Sequence, residues 1–252
     1  DYTVAIGYEA STASTTPGGS VIIGYQAGHD ITTGGGHVFI GELAGDNFDT
    51  ENWNVGIGKN SLGGPIAGGE YNVAIGRDTL GALTSGDNNI AIGYQAGDAI
   101  TTGDGNVAIG HNAGGAITTG GNNVIIGLDS GASMTEGTDN VAVGAYALDA
   151  NTTGGSNTAL GYEALGALTD ANQNTAVGKQ SLRVNTTGDN NTAVGFQAIK
   201  GNTTGNRNIG IGYQTLEIPD TENDNLAIGY EALAGAVAGG EYNVAIGNYT
   251  LD

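Results

Sequence analysis

The chain lacks cysteine altogether, and in 252 residues it holds three prolines, one methionine, one tryptophan, three phenylalanines and six lysines plus arginines. Without cysteine there is no disulfide framework. With few large side chains an ordinary globular core would be thin. The six cations face 26 aspartates and glutamates, for a net charge of −20. Such a surface repels phosphate backbones and anionic lipids, so neither nucleic acid nor a membrane surface is an expected partner, while Ca²⁺ or Mg²⁺ would be drawn to it diffusely. No apolar run approaches the ~18 residues that span a bilayer. Initiator methionine, signal peptide and basic leader are absent too. Asp1 falls inside the pattern described next, so the chain reads as a piece of a longer polypeptide.

What the chain has in abundance is glycine, 48 residues. No every-third-residue period accompanies them, which excludes collagen. Disorder, the other reading of so much glycine, is defeated by regular apolar spacing. Val-Ala-Ile-Gly or a close variant ends at Gly7, Gly24, Gly41, Gly58, Gly76, Gly93, Gly110, Gly127, Gly144, Gly161, Gly178, Gly195, Gly212, Gly229 and Gly247. Those are 15 copies, spaced by 17 residues in twelve intervals and by 18 in two. A period of this length marks a stacked-repeat architecture.

With this glycine as position 4 of a coil, position 3 is always aliphatic and position 1 is Val, Ile, Leu or Thr. Position 2 is Ala in ten copies, position 7 is Ala, Ser or Thr, and the residue before position 1 is Asn in twelve copies, from Asn54 to Asn243. β-Branched residues closed by an invariant glycine read as a short strand ending in a bend. The following segment, such as Tyr94-Gln95-Ala96-Gly97, reads as a second strand, and Thr101-Thr102-Gly103-Asp104-Gly105 as a turn that brings the chain back. Helical periodicity is absent. The expected fold is all-β: a parallel β-solenoid (β-roll) of about 15 coils, one per repeat, forming a single continuous array over 1–252. At ~4.8 Å per coil it would make a rod roughly 70 Å long.

Copies of the repeat also test one another. Where position 8 is Gly, position 11 is usually large and apolar (Gly28 with Ile31, Gly97 with Ile100, Gly114 with Ile117, Gly131 with Met134). Where position 8 is Leu or Ile, position 11 can be Asn (Leu148 with Asn151, Leu182 with Asn185, Ile199 with Asn202). Dense packing demands such exchange if both positions fill one volume. Leu80 with Leu83 and Leu165 with Leu168 carry both. The position-17 asparagines read as an inward ladder, each amide bonded to neighbouring coils; metal ligation, helped by Asp87, Asp104 and Asp189, is the alternative. Both 18-residue coils share a context, Ala67-Gly68-Gly69-Glu70-Tyr71-Asn72 and Ala238-Gly239-Gly240-Glu241-Tyr242-Asn243, 171 residues apart.

About three large apolar side chains per coil fall short of the entropy of ordering 17 residues, at ~2 kcal/mol gained per side chain against ~1–2 kcal/mol lost per residue. A second buried face would help. Strand positions 1 and 3 face opposite to position 2, and both sides are apolar or small, so one face can line the coil while the other packs on neighbouring chains. A homo-oligomer along the rod is expected; a monomer with an alanine stripe in a wider core is the alternative. Neither end carries a polar cap, so the rod is expected to continue, to be capped, or to join end to end.

Asn89-Ile90-Ala91-Ile92-Gly93-Tyr94-Gln95-Ala96 resembles the YadA-like head repeats of trimeric autotransporter adhesins. Asn191-Thr192-Ala193-Val194-Gly195-Phe196-Gln197-Ala198-Ile199, followed by Asn202-Thr203-Thr204-Gly205, is similar to the repeats of phage tail fibres and bacterial surface-fibre shafts. The resemblance covers the whole chain. It implies a left-handed homotrimeric β-roll at a cell surface or virion, extracellular, binding host or matrix.

Catalytic, cofactor-binding and metal sites are not expected. No carboxylate pair recurs at fixed spacing. His29, His37 and His111 are scattered, and no Walker lysine follows the many glycine matches. Sequons include Asn151, Asn185, Asn202 and Asn248, three of them at position 11, which the exchange places inward. The expected role is that of a structural or adhesive fibre segment rather than an enzyme, with side chains at positions 5, 6 and 9 outward. A tyrosine stripe at position 5 (Tyr8, Tyr25, Tyr94, Tyr162, Tyr213, Tyr230) would meet host carbohydrate or protein, or shield an inter-chain seam. Two alternatives are a calcium-stabilised secreted solenoid and an ice-binding one. The first is disfavoured because Asp wanders along the repeat. The second is disfavoured because the threonine row (Thr32-Thr33, Thr101-Thr102, Thr118-Thr119, Thr152-Thr153, Thr186-Thr187, Thr203-Thr204) breaks around Asp49, Ala67 and Asp220.

Overall fold

The computed structural model describes residues 2–15, 18–217, 221–235 and 240–251. Ala238, Gly239 and Asp220, named above, lie outside them. The chain divides into two compact units, Asp1–Asn123 and Val124–Asp252. The first holds β1 (Val4–Ile6), β2 (Val21–Ile23), β3 (Val38–Ile40), β4 (Val55–Ile57), β5 (Val73–Ile75), β6 (Ile90–Ile92) and β7 (Val107–Ile109). The second holds β8 (Val124–Ile126), β9 (Val141–Val143), β10 (Thr158–Leu160), β11 (Thr175–Val177), β12 (Thr192–Val194), β13 (Ile209–Ile211), β14 (Leu226–Ile228) and β15 (Val244–Ile246).

Within each unit consecutive strands pair in parallel with equivalent residues opposite one another, Ile75 on Ile92 in one and Val177 on Val194 in the other. A chain that adds one strand per 17 residues in strict register is a parallel β-solenoid. Equivalent glycines are neighbours in a column: a Cβ built on Gly127 would lie 2.6 Å from the carbonyl oxygen of Gly144. No helix occurs among the described residues, and so none crosses a membrane.

Two expectations need correction. First, residues 5–8 of each coil are not a second strand; Tyr94–Gly97 is a turn. Position 6 and position 8 both adopt left-handed backbone, +54° at Gln95 and +55° at Gly97, and so do Leu80 at +49° and even β-branched Ile199 at +49°. Alternating hands point successive N–H groups to opposite neighbours. Gln95 donates to the Arg77 carbonyl of the preceding coil (3.1 Å), and Gly97 to the Ala113 carbonyl of the following one (3.0 Å). Every coil is thereby stitched on both sides without a second extended segment, and the buried N–H groups are accounted for.

Second, the coil interior does not hold about three large apolar side chains, because of the two strand faces left open above it is the small one that turns inward. Position 2 points inward, and most strands show a buried central residue flanked by half-buried ones. The interior is built from position 2, position 7 and whichever of positions 8 and 11 is large: Ala91, Ala96 and Ile100 in one coil, Ala176 and Leu182 in another, all fully buried. Hydrophobic burial per coil is therefore smaller than three large side chains, and the hydrogen-bonded columns carry more of the stability.

The exchange of volume between positions 8 and 11 holds, and position 2 joins it. A Cβ on Gly97 would lie 2.9 Å from Ile100 Cδ1, and one on Gly114 2.8 Å from Ile117 Cδ1. Where position 2 itself is large, position 8 is glycine: Ile22 with Gly28, Phe39 with Gly45, Ile125 with Gly131. Where position 2 is Gly56, Phe39 of the preceding coil reaches to 3.1 Å of the missing Cβ.

Candidate functional site

Four kinds of column run along the coils, and together they define which surfaces are committed to the fold and which are left to act. The first is the asparagine ladder, present as expected. Asn191 is typical. Its backbone N–H and Nδ2 both donate to Asn174 Oδ1 (2.9 and 3.1 Å), Nδ2 also donates to the Gly205 carbonyl (2.8 Å), and its own Oδ1 accepts from the Asn208 N–H (2.9 Å). The ladder runs through Asn54, Asn72, Asn89, Asn106 and Asn123 in the first unit and from Asn140 to Asn243 in the second. It passes unbroken through the 18-residue coil, Asn72 on Asn54 at 2.8 Å. With both ends of each amide used, these groups are not metal ligands.

The acidic neighbours are bonded to the backbone as well. Asp87 Oδ1 accepts from the Glu70 N–H (2.7 Å), Asp104 Oδ1 from the Asp87 N–H (2.8 Å) and Asp189 Oδ1 from the Asn172 N–H (2.7 Å). They form a second column, in which Asn172, Asn206 and Asn223 serve equally. Among the described residues no group of three or more His, Cys, Asp or Glu could hold a metal ion. The third column is threonine, whose Oγ1 donates to the next coil's carbonyl, as Thr101 does to Thr118 (3.0 Å) and Thr186 to Thr203 (3.0 Å). The row is interrupted by Asp49, whose carboxylate accepts from Thr32. Asn151, Asn185 and Asn202 are fully buried, with Nδ2 on the carbonyls of Gly154, Gly188 and Gly205, so three sequons are sealed; Asn248 is exposed.

His37 and Glu51 were not legible as special in the sequence. His37 stands where other coils have the ladder asparagine, and that position was the signal. It is buried, stacks on Phe39 (4.8 Å, 16°), accepts at Nδ1 from the Asn54 N–H (3.3 Å) and donates from Nε2 to the Glu51 carbonyl (2.9 Å). Acceptance at Nδ1 needs the neutral ring, protonated at Nε2. Burial pulls its pKa below the ordinary histidine value, partly offset by those backbone contacts and by Glu51 and Glu70. The unfolded chain then binds the extra proton first, near pH 6.5. Stability from the neutral ring is complete above that pH and declines as pH falls through the window toward the folded value. The urea midpoint of the first unit is expected to fall between pH 7 and pH 5, and His37→Asn, which continues the ladder, to abolish that contribution.

Glu51 occupies an inward position that is mostly glycine. Its buried carboxylate accepts from the N–H groups of Asp49 (2.9 Å), Thr50 (3.0 Å) and Gly68 (2.9 Å). The last lies in the 18-residue coil, so the acid ties that coil to its own. Glu222 stands at the equivalent place before the other long coil and accepts from Thr221 N–H (3.1 Å).

Two outward surfaces remain. One is the strand face formed by positions 1 and 3, half-buried to exposed in every coil, with Ile90, Leu160, Ile209, Ile211, Val244 and Ile246 among its most exposed members. The other is the fourth column, the aromatic stripe at position 5. Phe196, Tyr213 and Tyr230 stack face to face at 5.2 and 4.9 Å, as do Tyr8 and Tyr25 at 5.3 Å. Stacked in this way, the rings cover each other's faces and present edges. Beside them Gln180, Gln197 and Gln214 continue from Glu163 as an amide ladder of 2.7–3.1 Å bonds. The stripe is discontinuous, with Glu42, Lys59, Arg77, Leu128, Ala145 and Lys179 at position 5 of other coils. Beside one of these breaks, Ala145 ahead of Tyr162, a cavity of about 460 Å³ opens, lined by Tyr146, Asp149, Tyr162, Gly166 and Arg183 among others.

Comparison with family models, curated proteins and solved structures finds no match to this chain.

Proposed function

We propose that this chain is a segment, shaft or head, of an extracellular structural and adhesive fibre that works by rigidity, self-association and multivalent display. The observation that carries the reading is the uncovered aliphatic strand face. In both units positions 1 and 3 place two columns of Val, Ile, Leu and Thr toward solvent on an otherwise strongly acidic chain. Contiguous apolar surface of this kind is a mark of interaction, and a repeat that presents the same face in every coil matches a second copy of itself better than any partner of different period. A homotrimer about the fibre axis, left-handed winding and end-to-end continuation belong to the same proposal, as do a cell-surface or virion location and a host-surface partner. Their support is the Asn-x-Val-Ala-Ile-Gly-Tyr resemblance.

Sedimentation equilibrium is the test. Three times the 25.0 kDa chain mass is expected. Val177→Lys places a charge on the outward face without touching the coil interior and is expected to yield monomer with an unchanged circular dichroism spectrum. A well-folded wild-type monomer at micromolar concentration overturns the self-association.

A further inference from the structure

We propose that the notch in the second unit bounded by Tyr146, Tyr162, Asp149 and Arg183 is a saccharide-binding site that takes one pyranose ring of a neutral glycan. It deepens the display part of the reading above and is independent of self-association.

The notch exists because two columns lose a side chain in adjacent coils. Position 9 runs Asp149, Gly166, Arg183, so an acid and a guanidinium flank a gap one coil high. Position 5 has Ala145 ahead of Tyr162, so Tyr162 has no stacking partner from the preceding coil. Its neighbour there is Tyr146, from position 6, at 5.9 Å and 86°. The perpendicular pair lacks the flat ring-on-ring cover of the Phe196, Tyr213, Tyr230 stack. The volume of about 460 Å³ lies within the ordinary range for small-molecule sites, roughly 300–1,000 Å³.

The polar groups suit a polyol. Asp149 is a half-buried acceptor. Burial raises its pKa, against hydrogen bonds from its own and the Ala150 N–H, and Glu163 and Asp129 raise it further. Arg183 carries donors only and is fixed by its Nε on Glu163 (2.7 Å), which in turn accepts from Gln180 (2.8 Å). A pyranose offers an apolar C–H face to a tyrosine ring and vicinal hydroxyls that can donate to Asp149 and accept from Arg183. An anionic ligand would meet Asp149 and Glu163. A cationic one would meet Arg183 and Lys179, whose Nζ already lies 5.5 Å from the Tyr162 centroid. A neutral sugar meets neither penalty. Such a site is weak by itself, and a fibre that repeats it gains by avidity.

Saturation-transfer NMR on the full chain tests this, with the methyl glycosides of glucose, galactose, mannose and N-acetylglucosamine as probes and methyl glucuronide and choline as charged controls. At least one neutral glycoside is expected to bind with Kd about 1 mM. Tyr162→Ala is expected to weaken it about tenfold or more, as loss of an aromatic anchor does, and Asp149→Asn to weaken it less. Gly166→Tyr fills the notch and is expected to abolish binding. Gly166 has no left-handed backbone, and an added Cβ has its nearest neighbours at 3.4 Å, so this variant keeps the wild-type melting curve. The site is overturned if no neutral glycoside binds at tens of millimolar, if binding survives Gly166→Tyr, or if choline or the glucuronide binds instead. Glycoside binding by a monomeric chain would sink self-association and leave the site standing; a trimer blind to all four glycosides would do the reverse.

Discussion

Gly161→Ala is expected to cost about 4 kcal/mol or more and to move the urea midpoint of the second unit steeply downward. Gly161 sits at φ +138°, a region L-residues enter only with strain, and its added methyl would lie 2.6 Å from the Gly178 carbonyl oxygen and 2.7 Å from its carbon. Strained backbone contributes about 1–3 kcal/mol and overpacking about as much again. Relief by a side-chain shift is impossible because the obstacle is main chain, and the main chain is held by its own column: Gly178 donates to the Leu160 carbonyl at 2.8 Å. The contrast is Gly166→Ala, whose added Cβ makes only ordinary contacts, with Asp149 Oδ1 and the Glu163 carbonyl oxygen at 3.4 Å. A small loss for Gly161→Ala, comparable with that control, would show that the columns can slide.

Asn191→Ala is expected to cost about 3–5 kcal/mol, and Asn191→Asp to cost more at pH 8 than at pH 4. Truncation orphans the Asn208 N–H at a fully buried site, at about 1–3 kcal/mol. It also removes one of two donors from Asn174 Oδ1, which keeps the residue-191 N–H, and from the Gly205 carbonyl, which keeps Asn202 Nδ2, at about 1 kcal/mol each. The aspartate keeps the shape but faces two acceptors with an acceptor. Its folded pKa must lie above the unfolded value of about 3.9, because both burial and the surrounding oxygens favour the neutral acid. The variant therefore holds most of its stability below that unfolded value and loses it as pH rises through the folded one. Amide exchange of Asn208 reports the same event locally. An Asn191→Asp protein indifferent to pH would mean that water already reaches the ladder.

The strand, the glycine column and the inward asparagines were legible because they answer to the period itself: any residue repeated every 17 must meet its equivalents. The hand of the turn was not. Left-handed backbone at Gln95, Leu80 and Ile199 leaves no compositional trace, since those residues normally avoid it, and the stitching of both neighbouring coils imposes it. The inward face was ambiguous for a different reason. Val73, Ala74 and Ile75 offer two acceptable faces, and only the width of the coil chooses alanine. His37 and Glu51 are substitutions in columns, and they become readable once the column is known. The cavity at Tyr162 is written mostly in what is missing, Ala145 and Gly166.

The asparagine ladder also has a direction. Each asparagine typically gives its backbone N–H and one amide hydrogen to the coil before it, and offers its oxygen and the other amide hydrogen to the coil after it, as Asn191 does between Asn174 and Asn208. A finished coil thus ends in a lone pair already aimed at the residue that synthesis delivers next. Growth from the N-terminal side finds a prepared acceptor, whereas growth from the other side would leave the backbone N–H and one amide hydrogen of each new asparagine unmet until the next coil arrives. A ribosome releases its product in the favourable order, so vectorial winding, one coil templated on the last, is the assembly route this bonding pattern rewards.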